Sequence, residues 1–467
     1  MPRRDERTRP PVGIGAPDPR RRGRWVDRLM HPARLSVGSF AIAIAIGSAL
    51  LSLPVAREGA GSAPLSVAVF TSTSAVCVTG LGVVDTSAYW STFGEVVIMA
   101  LIQIGGFGVM TLASILSFIA FRRLALRERL VAQRETRTLG LGDVRQVLKG
   151  VLAFTVFFET ILFGVLFVRL STTYATSTGR AAYEALFHSI SSFNNAGFAL
   201  YRDNLEGFVS DAWVLLPVAV TIIAGGIGFP VLAELRRVPL RPRRWTVHTK
   251  LTVGMTLLLL AAGTLGFGFF EWTNSETIGD FTTKGKLLPS FFHSVATRTA
   301  GFNVFDVGEM EETSWLLTCV FMFIGGGSAG TAGGIKVTTF ALLGYMMWAE
   351  AQGEPNVNIG SRRVPDTTQR QALTVALLAI GAVVAGTLAL MSIDPLPLPK
   401  ALFEAFSAFG TVGLSTGVTA DLSVAGRAVA VVLMFVGRLG PITLATALAL
   451  KERGRRYRLP EEQPIVG

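Results

Sequence analysis

The stretch FHSISSFNNAGF, Phe187–Phe198, occurs in three further versions along this 467-residue chain. FTSTSAVCVTGL occupies Phe70–Leu81, FFHSVATRTAGF occupies Phe291–Phe302, and FEAFSAFGTVGL occupies Phe403–Leu414. In each, a Phe stands ten residues before a Gly, and Leu or Phe follows that Gly at once. The four glycines, Gly80, Gly197, Gly301 and Gly413, are separated by 117, 104 and 112 residues. One such match carries little weight, but four in phase define an internal repeat. A second glycine signature lies 24 to 28 residues beyond each first one: IGGFG (Ile104–Gly108), AGGIG (Ala224–Gly228), IGGGSAG (Ile324–Gly330) and VGRLG (Val436–Gly440). Small residues there permit close helix approach or an interrupted helix.

The surroundings of the repeats are apolar. Half of the chain is hydrophobic and 16% is charged, against about 25% charged in soluble domains. That balance excludes disorder, and Cys77 and Cys319 alone build no disulfide framework. The net charge of +11 does not indicate a nucleic-acid binder, because there is too little polar surface to carry such a face. Eight stretches approach the ~20 apolar residues needed to span a bilayer: roughly 35–56, 94–121, 147–170, 211–235, 249–272, 314–349, 371–393 and 424–450. Between paired spans, runs such as Ala63–Val78 are too short to cross and read as re-entrant elements.

The expected fold is therefore an all-α polytopic membrane protein, with four tandem span–pore-helix–span repeats and eight transmembrane helices around one central pore. Its parts are a basic tail at 1–34, repeat 1 at 35–121, an amphipathic connector at 122–146 and repeat 2 at 147–235. Repeat 3 at 249–349, repeat 4 at 371–450 and a tail at 451–467 complete the chain. Segments 1–34, 122–149, 234–250, 350–370 and 451–467 hold 32 of the 43 Lys and Arg residues, which places them and both termini in the cytoplasm. Their net charge is +18, leaving −7 for everything else. The basicity is thus topological, and the connector's basic face suits anionic lipid or a regulatory partner.

Four similar units in one chain can surround one axis. A short helix aimed at that axis presents its negative C-terminal dipole end, which favours a cation. The turn after it can replace a dehydrated ion's water with backbone carbonyls, and glycine adopts the positive φ this requires. The turn segments Cys77–Leu81, Asn194–Phe198, Arg298–Phe302 and Gly410–Leu414 contain no carboxylate.

The motifs VTGL (Val78–Leu81), FNNAGF (Phe193–Phe198), RTAGFN (Arg298–Asn303) and FGTVGLS (Phe409–Ser415) resemble the four filters of the Trk/Ktr/HKT superfamily of potassium transporters. Eight spans without an additional N-terminal pair resemble the membrane subunit of Ktr systems most. The resemblance covers about residues 35–450. It implies K+ coordination by filter residues Val78, Thr79 and Gly80; Asn195, Ala196 and Gly197; Thr299, Ala300 and Gly301; and Thr411, Val412 and Gly413, with the ion at the four glycine carbonyls. A glycine in all four positions resembles the potassium-preferring members. The resemblance further implies a homodimer with one pore per protomer, a cytosolic RCK-type nucleotide-binding ring, a bacterial-type inner membrane location, and Na+ as a coupling or activating ion in some systems. No other cofactor and no nucleic acid is implied.

Inside the sixth span, GGGSAGTAGGIK cannot persist as helix, since each interior glycine costs about 1 kcal/mol. It resembles the family's intramembrane gating loop, formed here by Gly325, Gly326, Gly327, Ser328, Ala329, Gly330, Thr331, Ala332, Gly333, Gly334 and Lys336. A P-loop needs Gly immediately before Lys, and Ile335 breaks that pattern. Arg438 resembles the family's arginine in the last span, facing the pore near this loop. A positive charge there raises the barrier to potassium and can hold the loop through its carbonyls, the alternative being a charge buried against neighbouring helices for structure alone. Lys336 either gates or snorkels to the inner surface. Arg298 reads as a brace for the third filter, and Glu159 as a buried carboxyl needing a partner. His188 and His293 read as packing or hydrogen-bonding groups at pore-helix starts. The competing functions are a sodium- or proton-coupled secondary transporter of cations, against which the uniform repeat topology argues, and an enzyme, for which the spans hold no convergent catalytic set.

Overall fold

Why the chain folds as it does is clearest at the helix ends. A computed structural model describes residues 32–129, 141–239 and 241–440. In chain order its helices are α1 (Pro32–Leu51), α2 (Leu65–Val76), α3 (Thr86–Tyr89), α4 (Thr92–Arg129), α5 (Leu141–Thr173), α6 (Thr178–Asn194), α7 (Ala212–Ile227), α8 (Phe229–Arg237), α9 (Val247–Phe270), α10 (Leu287–Ala296), α11 (Glu312–Phe323), α12 (Val337–Ala351), α13 (Asp366–Ile393), α14 (Leu398–Gly410) and α15 (Val424–Leu439). Asp211 caps α7 by accepting from the Trp213 amide at 2.9 Å, and Ser423 caps α15 by accepting from Gly426 at 3.1 Å. A two-stranded hairpin, β1 (Asn358–Ile359) with β2 (Arg362–Arg363), turns at Gly360 with φ +61°.

The helices are arranged cyclically. The short helices α2, α6, α10 and α14 each pack on the helix preceding them: α1, α5, α9 and α13. Each also packs on a helix one unit earlier in the cycle. α6 meets α4, α10 meets α7, α14 meets α11, and α2 meets α15, which joins the end of the chain to its beginning. The buried side chains at the contacts are aromatic and aliphatic, among them Phe70, Phe187, Phe292 and Phe403, the leading Phe or its neighbour in each repeated stretch.

Outward faces are apolar too. Leu265 and Phe269 on α9 are more than 70% exposed, and Leu377 and Leu388 on α13 more than 60%. A contiguous exposed apolar surface of this kind suits lipid rather than water. Arg145–Thr173 of α5, α9 and α13 are each long and apolar enough to cross a bilayer, and α7 with α8 makes a fourth if the bent pair is one span.

Three boundaries differ from the sequence expectation. The span at 211–235 is two helices bent by 102°, because Gly228 takes φ +97° and Pro230 begins a new helix in its first turn. The span at 314–349 is interrupted for 13 residues between Phe323 and Val337. The connector at 122–146 is not a separate helix where it is described, since α4 runs on to Arg129 and α5 begins at Leu141. The rest of the connector, residues 1–31 of the basic tail, and the tail 451–467 lie outside the described residues.

Candidate functional site

The four repeated glycines meet. A Cβ built on Gly80 would lie 3.1 Å from the Cα of Gly197, and one on Gly197 3.0 Å from the Cα of Gly301. One on Gly301 would lie 3.1 Å from the Cα of Gly413, and one on Gly413 3.1 Å from the Cα of Gly80. The ring is closed. At every step the atom nearest the missing Cβ is a carbonyl oxygen of the residue before the next glycine: Ala196, Ala300, Val412 and Thr79. All four glycines have positive φ, between +70° and +97°.

Two residues before each glycine the backbone is again left-handed: Val78 (φ +54°), Asn195 (+60°), Thr299 (+70°) and Thr411 (+49°). Asparagine tolerates this region, but a β-branched residue there is an outlier costing about 1–3 kcal/mol. The strain is held by the helix ends. Asn195 and Thr411 are the C-caps of α6 and α14. The Thr79, Ala196 and Val412 amides donate to the carbonyls of Ser74, Ser191 and Ser407 at 2.8, 2.8 and 2.9 Å. The side-chain hydroxyls of Thr79, Thr299 and Thr411 are buried without a partner in the protein.

The second glycine signature packs the ring from behind. A Cβ on Gly105 would overlap the Val76 carbonyl, one on Gly225 the Phe193 carbonyl, and one on Gly437 the Phe409 carbonyl. Each of those carbonyls lies four residues before a ring glycine, so the same contact recurs in three units. In the remaining unit the helix is broken instead.

That break, from Gly325 to Lys336, lies against the ring. The Gly325 amide donates to the Ile335 carbonyl at 2.8 Å and Val337 to Gly326 at 3.0 Å, so the loop closes on itself. Gly327 and Thr331 donate to the Gly226 and Gly225 carbonyls at 2.8 and 3.1 Å, groups freed where α7 ends. Ser328 pairs with Thr338 at 3.1 Å, and a Cβ on Gly330 would overlap the Gly226 carbonyl. Ala329 and Gly334 supply the loop's positive-φ corners. The Thr331 hydroxyl donates to Asn195 Oδ1 at 3.1 Å, and Gly333 abuts Thr411. The loop thus lies against the second and fourth ring turns, at Asn195 and Thr411.

Three cations hold the loop by its carbonyls. Arg438 donates to Thr331, Lys336 to Ala332 at 2.5 Å, and Arg298 to Gly325 at 3.5 Å. Arg298 also donates to the Thr256 carbonyl at 3.3 Å, tying the third turn to α9.

Other buried polar groups stand behind the ring. Glu159 accepts from Gln103 at 3.4 Å and from Asn194 at 3.3 Å, both on neighbouring helices. His188 and His293 lie in the second half of α6 and α10, not at the helix starts expected from sequence, because those helices begin earlier, at Thr178 and Leu287. His188 ties α6 to the chain beyond its turn, with Nδ1 at 2.7 Å from the Glu184 carbonyl and Nε2 accepting from Leu200 at 3.3 Å. His293 approaches the Thr318 hydroxyl at 3.4 Å. Glu404, absent from the sequence reading, accepts from Thr419 at 2.5 Å and Ser415 at 3.0 Å. The hydroxyls of Ser74 and Ser407 were likewise not singled out, although aligning the repeats on their glycines places Ser six residues before three of them. At the outer end Glu206 accepts from Asn303 at 2.8 Å, and the Leu205 amide donates to the Asn303 carbonyl at 3.0 Å. Burial and the nearby Asp306 and Asp203 hold the Glu206 carboxyl above its ordinary range, outweighing the hydrogen bond from Asn303.

The sequence pattern defining the TrkH family, described as a cation transport protein, matches residues 36–457. The chain belongs to that family. It is 39% identical to the Ktr system potassium uptake protein B of Bacillus subtilis, over 95% of this chain and 98% of that one. It is 34% identical to the potassium/sodium uptake protein NtpJ of Enterococcus hirae, over 95% and 98%. Its fold matches the crystal structure of the potassium transporter TrkH from Vibrio parahaemolyticus with a TM-score of 0.71, at 17% identity over 90% of this chain and 84% of that one. Family membership and apolar outer faces together describe a multi-pass membrane protein.

Proposed function

We propose that this TrkH-family protein is a channel-like potassium uptake subunit, in which four repeats and eight spans surround one pore. The observation that carries the reading is the closed ring of Gly80, Gly197, Gly301 and Gly413, with a backbone carbonyl at every junction. α2, α6, α10 and α14 all end at that ring, so four negative helix ends converge on it. Carbonyl dipoles and helix ends supply coordination without a carboxylate, as a dehydrated monovalent cation requires. With one glycine per turn, the filter has few coordination sites and modest selectivity.

Gly325–Lys336 acts as the gate. Its non-helical backbone reaches the inner side of the turns at Asn195 and Thr411, and Arg438 and Lys336 clamp it while placing positive charge on the ion's path. Opening requires that clamp to loosen. A separate cytosolic nucleotide-binding ring of RCK type would supply the force, acting on a homodimer with both termini in the cytoplasm. The naming of the B. subtilis relative as part of a Ktr system is consistent with such a partner. The name of the E. hirae relative favours Na+ as a second transported or activating ion.

The reading is tested by growth. Expression in a bacterium lacking its own potassium uptake, together with a Ktr-type regulatory subunit, restores growth at submillimolar K+. Failure of a correctly inserted protein to do so contradicts it.

A further inference from the structure

The four ring turns do not hold their glycine amides in the same way. In the first unit Gly80 donates its N–H to the Ser74 hydroxyl at 3.1 Å, and in the fourth Gly413 donates to the Ser407 hydroxyl at 3.2 Å. The equivalent position in the second unit is Ser191, whose hydroxyl turns outward to the Phe198 carbonyl at 2.8 Å. In the third unit it is Val295, and Gly301 donates to the Ala296 carbonyl at 3.3 Å.

A trans peptide is planar, with its N–H and C=O pointing in opposite directions. Fixing the Gly80 amide therefore fixes the Thr79 carbonyl, and fixing Gly413 fixes that of Val412. Those are two of the four carbonyls that stand at the ring junctions. Both peptides end at a positive-φ glycine and follow, one residue on, a strained left-handed β-branched residue, Val78 or Thr411, so an unanchored plane has reason to rotate. Ser74 and Ser407 are wholly buried on α2 and α14, and their own carbonyls already receive the preceding amides, from Thr79 and Val412. Each serine thus anchors two consecutive peptide planes.

We propose that Ser74 and Ser407 are positioning residues for ion selection, whose hydroxyls keep the Thr79 and Val412 carbonyls turned to the ring. This rests on the reading of the ring as an ion filter. The two other units dispense with the hydroxyl, so selectivity is built unequally around the ring. Purified protein is reconstituted in proteoliposomes together with a Ktr-type regulatory subunit, and rubidium uptake is measured against increasing external sodium. In the Ser74→Ala/Ser407→Ala double variant, the sodium concentration that halves uptake falls at least about fivefold, the weight of one of the two hydrogen bonds it removes. The Ser74→Thr/Ser407→Thr pair keeps the acceptor and stays within about twofold of the parent. Should the double Ala variant not be recovered, Ser407→Ala alone shows a fall in the same direction. A parent-like sodium competition in the Ala variants overturns the proposal, as does an equal loss in the Thr pair. A parent protein that carries no rubidium overturns the filter reading itself, and this proposal with it.

Discussion

Val78, Thr299 and Thr411 are β-branched residues held at positive φ, two positions before the ring glycines. Such backbone persists only where the surroundings over-determine it, and here the over-determination comes from buried helix ends and the next turn of the ring. The glycines are needed for a second reason, since a side chain at any of them would meet its neighbour's carbonyl. Gly80→Ser is accordingly expected to displace the Ala196 carbonyl and lower discrimination between rubidium and sodium severalfold. An unchanged ratio would remove Gly80 from the filter. Glu206 gives a pH-dependent prediction at the same scale. Its carboxyl is raised, so on acidification it gains its proton before exposed carboxylates do and the outer face loses a negative charge. Half-saturating rubidium should rise on acidification at a pH above that at which exposed carboxylates titrate, and Glu206→Gln should flatten that dependence. A pH profile identical in parent and variant would exclude Glu206 as its source.

At the scale of elements, the decisive one is the broken helix α11–α12. A continuous helix would lack a surface shaped to both the Asn195 and Thr411 turns, whereas the loop contacts each. Deleting part of Gly326–Thr331 should raise rubidium flux in the absence of any regulator, and so should Arg438→Ala. Combined, they should raise it no further than the deletion alone, because Arg438 acts through the Thr331 carbonyl. A deletion that folds but conducts no faster would argue against a gate. Helix packing behind the ring makes a stability prediction. Gly437→Ala forces a methyl into the Phe409 carbonyl, and overpacking of this kind costs about 1–3 kcal/mol. A thermal melt in detergent should show the loss, with Gly381→Ala, inside α13 and with no atom within 4 Å of its Cβ, as the comparison that gains helix propensity without a clash.

At the scale of the molecule, the cyclic packing that ends with α15 on α2 makes one assembly of the described residues. The distribution of Lys and Arg predicts its orientation. Ser361→Cys, in the exposed hairpin turn, should react with a membrane-impermeant thiol reagent only from the cytoplasmic side, and Ser275→Cys only from outside; the native Cys77 and Cys319 are buried and give little background. Labelling of both from one side would break the topology. Much of this was legible beforehand. The Phe-to-Gly spacing located all four turns, and the glycine-rich run located the helix break, because glycine content acts locally. Less legible were features that depend on meeting at a distance. The Gly228 bend was hidden inside an apolar run of spanning length. The left-handed state of Val78 runs against its residue type, and the amide anchors at Ser74 and Ser407 exist only once the turn folds back on its helix.

The central claim is that one chain encloses an alkali-cation filter, and flux measures it directly. In proteoliposomes loaded with potassium, purified protein with a Ktr-type regulatory subunit should drive rubidium uptake that saturates, is blocked by external potassium, and is reduced more weakly by sodium and more weakly still by lithium. Saturable uptake of an organic solute with no alkali-cation flux would contradict the account.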